Sequence, residues 1–298
     1  MPHRLPKLKL LPPAHAPERV QRLYDEMQRV LGVPHVNLVW QAYGVYPEFL
    51  ELLWAQLRPA LNLQATFDLA ERLRAGAFTR IHGYFAVPDF GERVGDLRVS
   101  SAELNATADL FYYEDALVLL LVAAIEQAFE RPLGRAGAGA AADPRPAEHP
   151  VFSELPLLEE STASAQVRRI YDEIKSRIGV PVVNTFYRAL APDFLAQYWS
   201  TLRPMIESPL YVESLYGVRD TAMALAREIP ATLDLTPQRL EQAGIADEAI
   251  AEMQRVTQLF LRVLSGLLLN ITVAKVGLDG GTAKARKLPA SVEPKLAA

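Results

Sequence analysis

The chain has 298 residues, half of them hydrophobic, with a formal net charge of −4 and no cysteine. Its length fits about two domains with sizeable cores, and its mixed, slightly acidic charge gives no electrostatic footprint for nucleic acid. The absence of cysteine excludes disulfides, thiol catalysis, thiolate metal sites and iron–sulfur clusters.

The N-terminal Met1–Lys7 is basic and lacks the apolar run of a signal peptide. Leu5 to Pro17 is proline-rich and expected to run extended over the surface. Val20, Leu23, Tyr24, Met27, Val30 and Leu31 recur at helical spacing. Gly32 stops that helix by offering the left-handed conformation a C-terminal cap prefers. Pro34 suits the first turn of a second helix, which would carry Asn37 and Trp40 on one face. Pro47 opens a third helix that ends at Pro59. Residues 62–85 read as helix and Pro88–Arg98 as a loop. Ser101 is the expected N-cap of a helix through Tyr113, and Asp115 then caps an apolar helix from Ala116 to Phe129. The run Ala116–Ile125 has ten residues and is too short to span a bilayer. A soluble, cytoplasmic protein without a membrane partner is expected.

The segment Arg131–Pro150, rich in Gly, Ala and Pro, reads as a linker. After it the order repeats. Val167, Ile170, Tyr171, Ile174 and Ile178 form a stripe, and Gly179 stops it. Gly32-Val33-Pro34-His35-Val36-Asn37 matches Gly179-Val180-Pro181-Val182-Val183-Asn184, and Asn184 with Tyr187 reproduces Asn37 with Trp40. Eighteen positions between Val20 and Pro59 are identical in the second copy, where chance gives roughly two or three. Leu259-Phe260 echoes Leu110-Phe111, and Ser265-Gly266 falls near the break expected at Asp115. No alternating pattern predicts a strand. The fold class is therefore all-α: a tandem duplication of a helical domain packed as an intramolecular pseudo-dimer. Repeat 1 spans 1–130, the linker 131–150, repeat 2 151–276 and a disordered tail 277–298. The internal twofold predicts a monomer or weak homodimer, with a ligand cavity at the seam.

His3, His15, His35, His82 and His149 show no metal spacing, and no phosphate-loop, dinucleotide or nucleophile-elbow motif occurs. No metal or cofactor is expected. The acids of Tyr24-Asp25-Glu26 and its copy read as a solvated face paired with arginines such as Arg58. Asn37 and Asn184 stand in apolar surroundings, where an amide is costly to bury unpaired. Either they fix the seam by hydrogen bonding, or they wall a cavity beside Trp40 and Tyr187. Glu114-Asp115, next to Phe111, Tyr112 and Tyr113, is either an N-cap with an exposed neighbour or an acidic site.

The duplication, the VPxVN segment in each half and Tyr187-Arg188-Ala189-Leu190-Ala191-Pro192-Asp193-Phe194-Leu195 together resemble the group I DL-2-haloacid dehalogenase family, also called halocarboxylic acid dehydrogenases. A remoter resemblance reaches the alkylhydroperoxidase D-like helical fold. The resemblance implies hydrolysis of 2-haloalkanoic acids by an activated water that attacks C2 directly. Such chemistry needs a carboxylate base and an amide to hold the water. It implies a base at Phe186, beside the small hydroxyl residue Thr185, and a partner amide near Phe111 or Tyr112. From Val180 to Ala191 there is no Asp or Glu, and phenylalanine accepts no proton.

Three readings follow. In the first, a diverged hydrolase uses Glu114 as its base. In the second, the protein binds a small, largely apolar carboxylic acid without catalysis, with Asn37, Trp40, Phe111, Asn184, Thr185, Phe186, Tyr187, Phe260 and Val263 as candidate binding residues. In the third, Phe186, Phe111 and Phe260 fill the seam of a structural protein.

Overall fold

A computed structural model describes residues 7–94, 99–134, 143–145 and 152–284. Among them there is no strand, and the class is all-α as expected. The helices are α1 (Glu18–Leu31), α2 (Leu38–Tyr43), α3 (Pro47–Leu61), α4 (Gln64–Tyr84), α5 (Gly91–Val94), α6 (Ser101–Glu130), α7 (Ala165–Ile178), α8 (Thr185–Ala189), α9 (Pro192–Ile206), α10 (Pro209–Ala226), α11 (Pro237–Gln242), α12 (Asp247–Leu278) and α13 (Gly281–Lys284).

The first helix of each half follows its sequence signal. Val20, Tyr24, Met27 and Leu31 of α1 turn inward, as do Val167, Tyr171 and Ile174 of α7. Gly32 and Gly179 end these helices at φ 75° and 73°, conformations that cost an L side chain a clash glycine avoids. Matching contacts then recur. Tyr24 Oη donates to Leu11 O at 3.0 Å and Tyr171 Oη to Leu158 O at 3.1 Å. Trp54 Nε1 donates to Glu26 and Trp199 Nε1 to Glu173, both at 3.0 Å. Arg58 and Arg203 pair with the same two acids, which is the role expected for that acidic face.

Several boundaries differ from expectation. Pro34 lies in a bend before α2, because Asn37 takes the N-cap and accepts from Val39 N at 3.0 Å. Asn37 and Trp40 are thus a cap and a third helical residue, not two members of one helical face. Asn184 does the same for α8, accepting from Phe186 N at 2.9 Å. Pro59 and Pro204 sit inside the last turns of α3 and α9. A single missing donor there does not end a helix already anchored by buried leucines. Within the predicted loop Pro88–Arg98, Gly91–Val94 forms the short α5. Residues 277–278 complete α12 and 281–284 form α13, so this part of the predicted tail is helical, while 285–298 lie outside the described residues. Of the predicted linker, 131–134 and 143–145 are described, with isolated bridges from Leu133 to Leu233 and from Pro144 to Leu63.

The largest correction concerns Asp115. No break occurs there: α6 runs unbroken for 30 residues. Its N-cap is Ser100, one residue earlier than expected, in a capping box with Glu103. Likewise α12 passes through Ser265-Gly266 for 32 residues. These two long helices pack together at the centre, flanked by α4 and α10. By length and composition α12 could cross a membrane, but most of that stretch is buried inside the molecule. The short helices cross over: α2 touches α12, and α8 touches α6. The long pair thereby holds the seam on which both capping asparagines sit.

Candidate functional site

A cavity of about 200 Å³ opens among α7, α8, α10 and α12. Its walls are apolar, from Ile174, Ile178, Val182, Leu215, Phe260 and Val263, with Leu8 and Leu38 contributed by the first half. Among the described residues, Asn184, Tyr187, Tyr211 and Asn270 are the uncharged polar side chains of its lining and Arg177 and Arg262 the charged ones, with no Asp or Glu.

The polar groups are set by the helices that carry them. Asn270 lies on α12 and donates Nδ2 to Tyr187 Oη at 2.8 Å. It accepts from Tyr211 Oη at Oδ1, 2.6 Å, and from Tyr198 Oη at its backbone carbonyl, also 2.6 Å. Burial pushes the phenol pKa of Tyr187, Tyr198 and Tyr211 upward, so these groups act as neutral hydrogen-bonding hydroxyls. Arg262 donates to Ile178 O at 3.0 Å and Gly179 O at 3.3 Å. It thus satisfies carbonyls at the end of α7, where a cation is favoured. Arg177 pairs with Glu207.

A second constellation lies along α6. Glu114, only 1% exposed, accepts from Asn37 Nδ2 at 3.2 Å through Oε1. Its Oε2 sits 2.9 Å from His35 Nε2, a short contact that is off-line for a good hydrogen bond. Burial opposes charge on His35, yet the Glu114 charge and contact prevail, and the imidazole pKa is raised above 6.5. Asp115 is equally buried, and neither carboxyl oxygen has a partner among the described residues. Desolvation first, then the neighbouring Glu114 charge, push its pKa well above 3.8, which favours the neutral acid. Two adjacent buried carboxyls cannot both ionise cheaply. The expectation of an N-cap with an exposed neighbour is therefore overturned at both residues.

Between these constellations lies an aromatic cluster. Phe111 and Phe186 meet edge to face with centroids 5.5 Å apart. His35 packs on the other side of Phe111 at 5.4 Å, and Phe186 also contacts Tyr187 and Tyr198. Such packing is worth about 0.5–1.5 kcal/mol per pair beyond burial.

The candidate residues thus divide. Asn184, Tyr187, Phe260 and Val263 share the cavity lining. Asn37 and Glu114 belong to the acidic cluster, Phe111 and Phe186 to the aromatic one. Thr185 is buried as the first residue of α8. Trp40 is buried against Tyr43 with its indole N–H unpaired among the described residues. Glu114, offered above as a base, does not line the cavity. Phe260 lines the cavity without filling it. His35, Asn270 and Tyr211 were missed. Asn270 carried the same signal as Asn37, a lone amide in the apolar run Leu267–Ile271. His35 and Tyr211 carried none, since only the fold brings them to their partners.

The model of the family described as halocarboxylic acid dehydrogenase DehI matches residues 34–185. An (R)-2-haloacid dehalogenase of Pseudomonas putida is 26% identical over 275 residues, covering 89% of this chain and 91% of that protein. An (R)-2-haloacid dehalogenase of Rhizobium sp. (strain NHG3) is 24% identical over 233 residues, covering 77% and 91%. Among solved structures, a D-2-haloacid dehalogenase mutant in complex with D-2-CPA aligns with a TM-score of 0.84 at 24% identity, covering 92% of this chain and 98% of that one. The D-2-haloacid dehalogenase complex with L-LA gives 0.84 over 93% and 100%. At that identity these structures share the fold.

Proposed function

This chain belongs to the halocarboxylic acid dehydrogenase DehI family, and on that footing we propose that it binds a small, largely apolar carboxylic acid in the cavity among α7, α8, α10 and α12, and hydrolyses 2-haloacids weakly or not at all. One observation carries the proposal: the cavity combines apolar walls, neutral hydrogen-bonding groups, Arg262 and an Arg177 paired with Glu207, with no carboxylate among the described residues of its lining. Such a lining suits an acid and offers nothing to take a proton from water.

The loss of hydrolysis is argued at Phe186. The resemblance puts the base there and its amide near Phe111, and these two side chains pack as an edge-to-face pair. General-base assistance is typically worth about two to four orders of magnitude, and the same carboxylate would position the water. The second reading, hydrolysis through Glu114, is favoured by its approach to His35 and Asn37. Against it, Glu114 already accepts from Asn37, faces His35 and lies outside the cavity lining.

Halide release from both enantiomers of 2-chloropropionate tests the proposal, in the wild type, Phe186→Asp and Glu114→Gln. An inactive or barely active wild type, with turnover gained by Phe186→Asp, supports it. Appreciable wild-type turnover abolished by Glu114→Gln would overturn it in favour of the Glu114 hydrolase.

A further inference from the structure

The two halves of the chain allow a comparison within one molecule. Asn37 and Asn184 stand in matching segments 147 residues apart. Each commits Oδ1 to a backbone N–H two residues on, Val39 at 3.0 Å and Phe186 at 2.9 Å. With Oδ1 so fixed, each amide presents Nδ2 as a donor. In the first half that donor meets Glu114 Oε1 at 3.2 Å, with His35 Nε2 at 2.9 Å from Oε2. A buried carboxylate is thus received by an amide and an imidazole.

In the second half the receiving amide remains and the carboxylate is gone. Val182 matches His35 at the offset of 147. Along the long helices, Leu110-Phe111 and Leu259-Phe260 set an offset of 149, which matches Glu114 with Val263. Both valines line the cavity together with Asn184. Asn184 Nδ2 donates to none of the described residues. Tyr187 Oη, which accepts from Asn270 at 2.8 Å, has no acceptor for its own proton among them. Two donors on the wall of an apolar cavity, the partly buried Asn184 Nδ2 and the Tyr187 hydroxyl, are thus free to meet an acceptor that enters it.

Resting on the carboxylic-acid reading above, we infer that Asn184 Nδ2 anchors the ligand carboxylate, which takes in the second half the place that the Glu114 carboxylate holds in the first, with the Tyr187 hydroxyl as a second donor. The hydrocarbon part then lies on Val182, Phe260 and Val263. At about 200 Å³ the cavity is below the usual range for drug-sized ligands and suits short acids. Arg262 lends the lining positive charge, whereas Arg177 is paired with Glu207.

Calorimetric titration of the full chain with isobutyrate provides the test. Asn184→Asp keeps an oxygen for the Phe186 N–H, because Asp caps as well as Asn, but replaces the donor by a carboxylate. Loss of a hydrogen bond to a charged group predicts binding weakened about ten- to hundred-fold or more, with Tyr187→Phe weakened less. Asn184→Asp should also prefer isobutyramide to isobutyrate. Val263→Glu places an internal carboxylate opposite Asn184 and should abolish binding with the helical signal retained; it decides the matter if Asn184→Asp folds poorly. Isobutyrate binding unchanged in both Asn184→Asp and Val263→Glu would overturn the anchor and leave the cavity reading standing. A wild type that binds no isobutyrate at millimolar concentration would overturn both.

Discussion

At Asp115 a carboxyl group sits inside a helix with neither oxygen paired among the described residues. Its pKa is raised by burial and by Glu114, so the folded state holds a proton that the unfolded chain releases above about pH 3.8. Stability therefore falls as pH rises from that value toward the folded pKa. Asp115→Leu, which copies Leu264 at the matching position of α12, should stabilise the protein by about 1–3 kcal/mol. Urea midpoints should show a larger gain at pH 8 than at pH 5; a destabilised variant would mean that Asp115 has a partner in solution. His35 works in the same direction. Its raised pKa contributes stability that is full below about pH 6.5 and is lost as pH climbs through the folded value. Glu114→Gln removes the attracting charge, so its stability should vary less between pH 6 and 8 than that of the wild type. An unchanged pH slope would show that the histidine is neutral throughout.

At the scale of the element, α6 and α12 differ in how they begin. Ser100 and Glu103 close a capping box on α6, and Ser100→Ala should cost about 1 kcal/mol, read from the denaturation midpoint. Near the far end of α12, a Cβ on Gly277 would fall on the ring of Phe90. Phe90 is itself wedged edge-on against Phe194 and Tyr198, so it has little room to give. Gly277→Ala should therefore destabilise by about 1–3 kcal/mol as an overpacked core does, although alanine has the better helix propensity; a stabilised variant would show that Phe90 can move away. The same contrast explains what could be read in advance. Gly32 and Gly179 mark real stops because a left-handed residue follows each stripe, and the apolar spacing of α1 and α7 is unambiguous. Asp115 misled because an acid before an apolar run looks alike as a cap and as a buried interior residue. Only the packing of α12 along α6 distinguishes them. Within the candidate site, Asn184 and Tyr187 were legible from the repeat itself. Tyr211, Asn270 and Arg262 reach the cavity through α10 and α12, which show little sequence correspondence with α4 and α6. Their convergence is a property of the fold.

For the whole molecule, the question is whether either half is a folding unit. In α6 every residue from Leu110 to Ile125 is buried, and in α12 every residue from Leu264 to Gly277. A helix buried all round needs neighbours on every side, and here α12 lies along α6 while α4 and α10 each pack against both. Each half therefore supplies a large part of the cover of the other's central helix. Cutting the chain within 135–142 would expose most of one face of each. Every fully buried Leu, Val or Ile returned to water costs about 1.5–3 kcal/mol, against a total domain stability of about 5–15 kcal/mol. Loss of a few such contacts is enough to abolish cooperative folding. Residues 1–134 alone should thus give a helical but dye-binding, self-associating species without a sharp thermal transition. Adding residues 143–298 should restore a cooperative transition in a one-to-one complex. The Tyr43 hydroxyl, 2.7 Å from Thr257 Oγ1 across the two halves, supplies a local report: Tyr43→Phe should weaken that complex while leaving the helical content of the separate fragments unchanged. A monomeric 1–134 fragment with cooperative unfolding would refute mutual cover and make the halves independent domains joined by a linker.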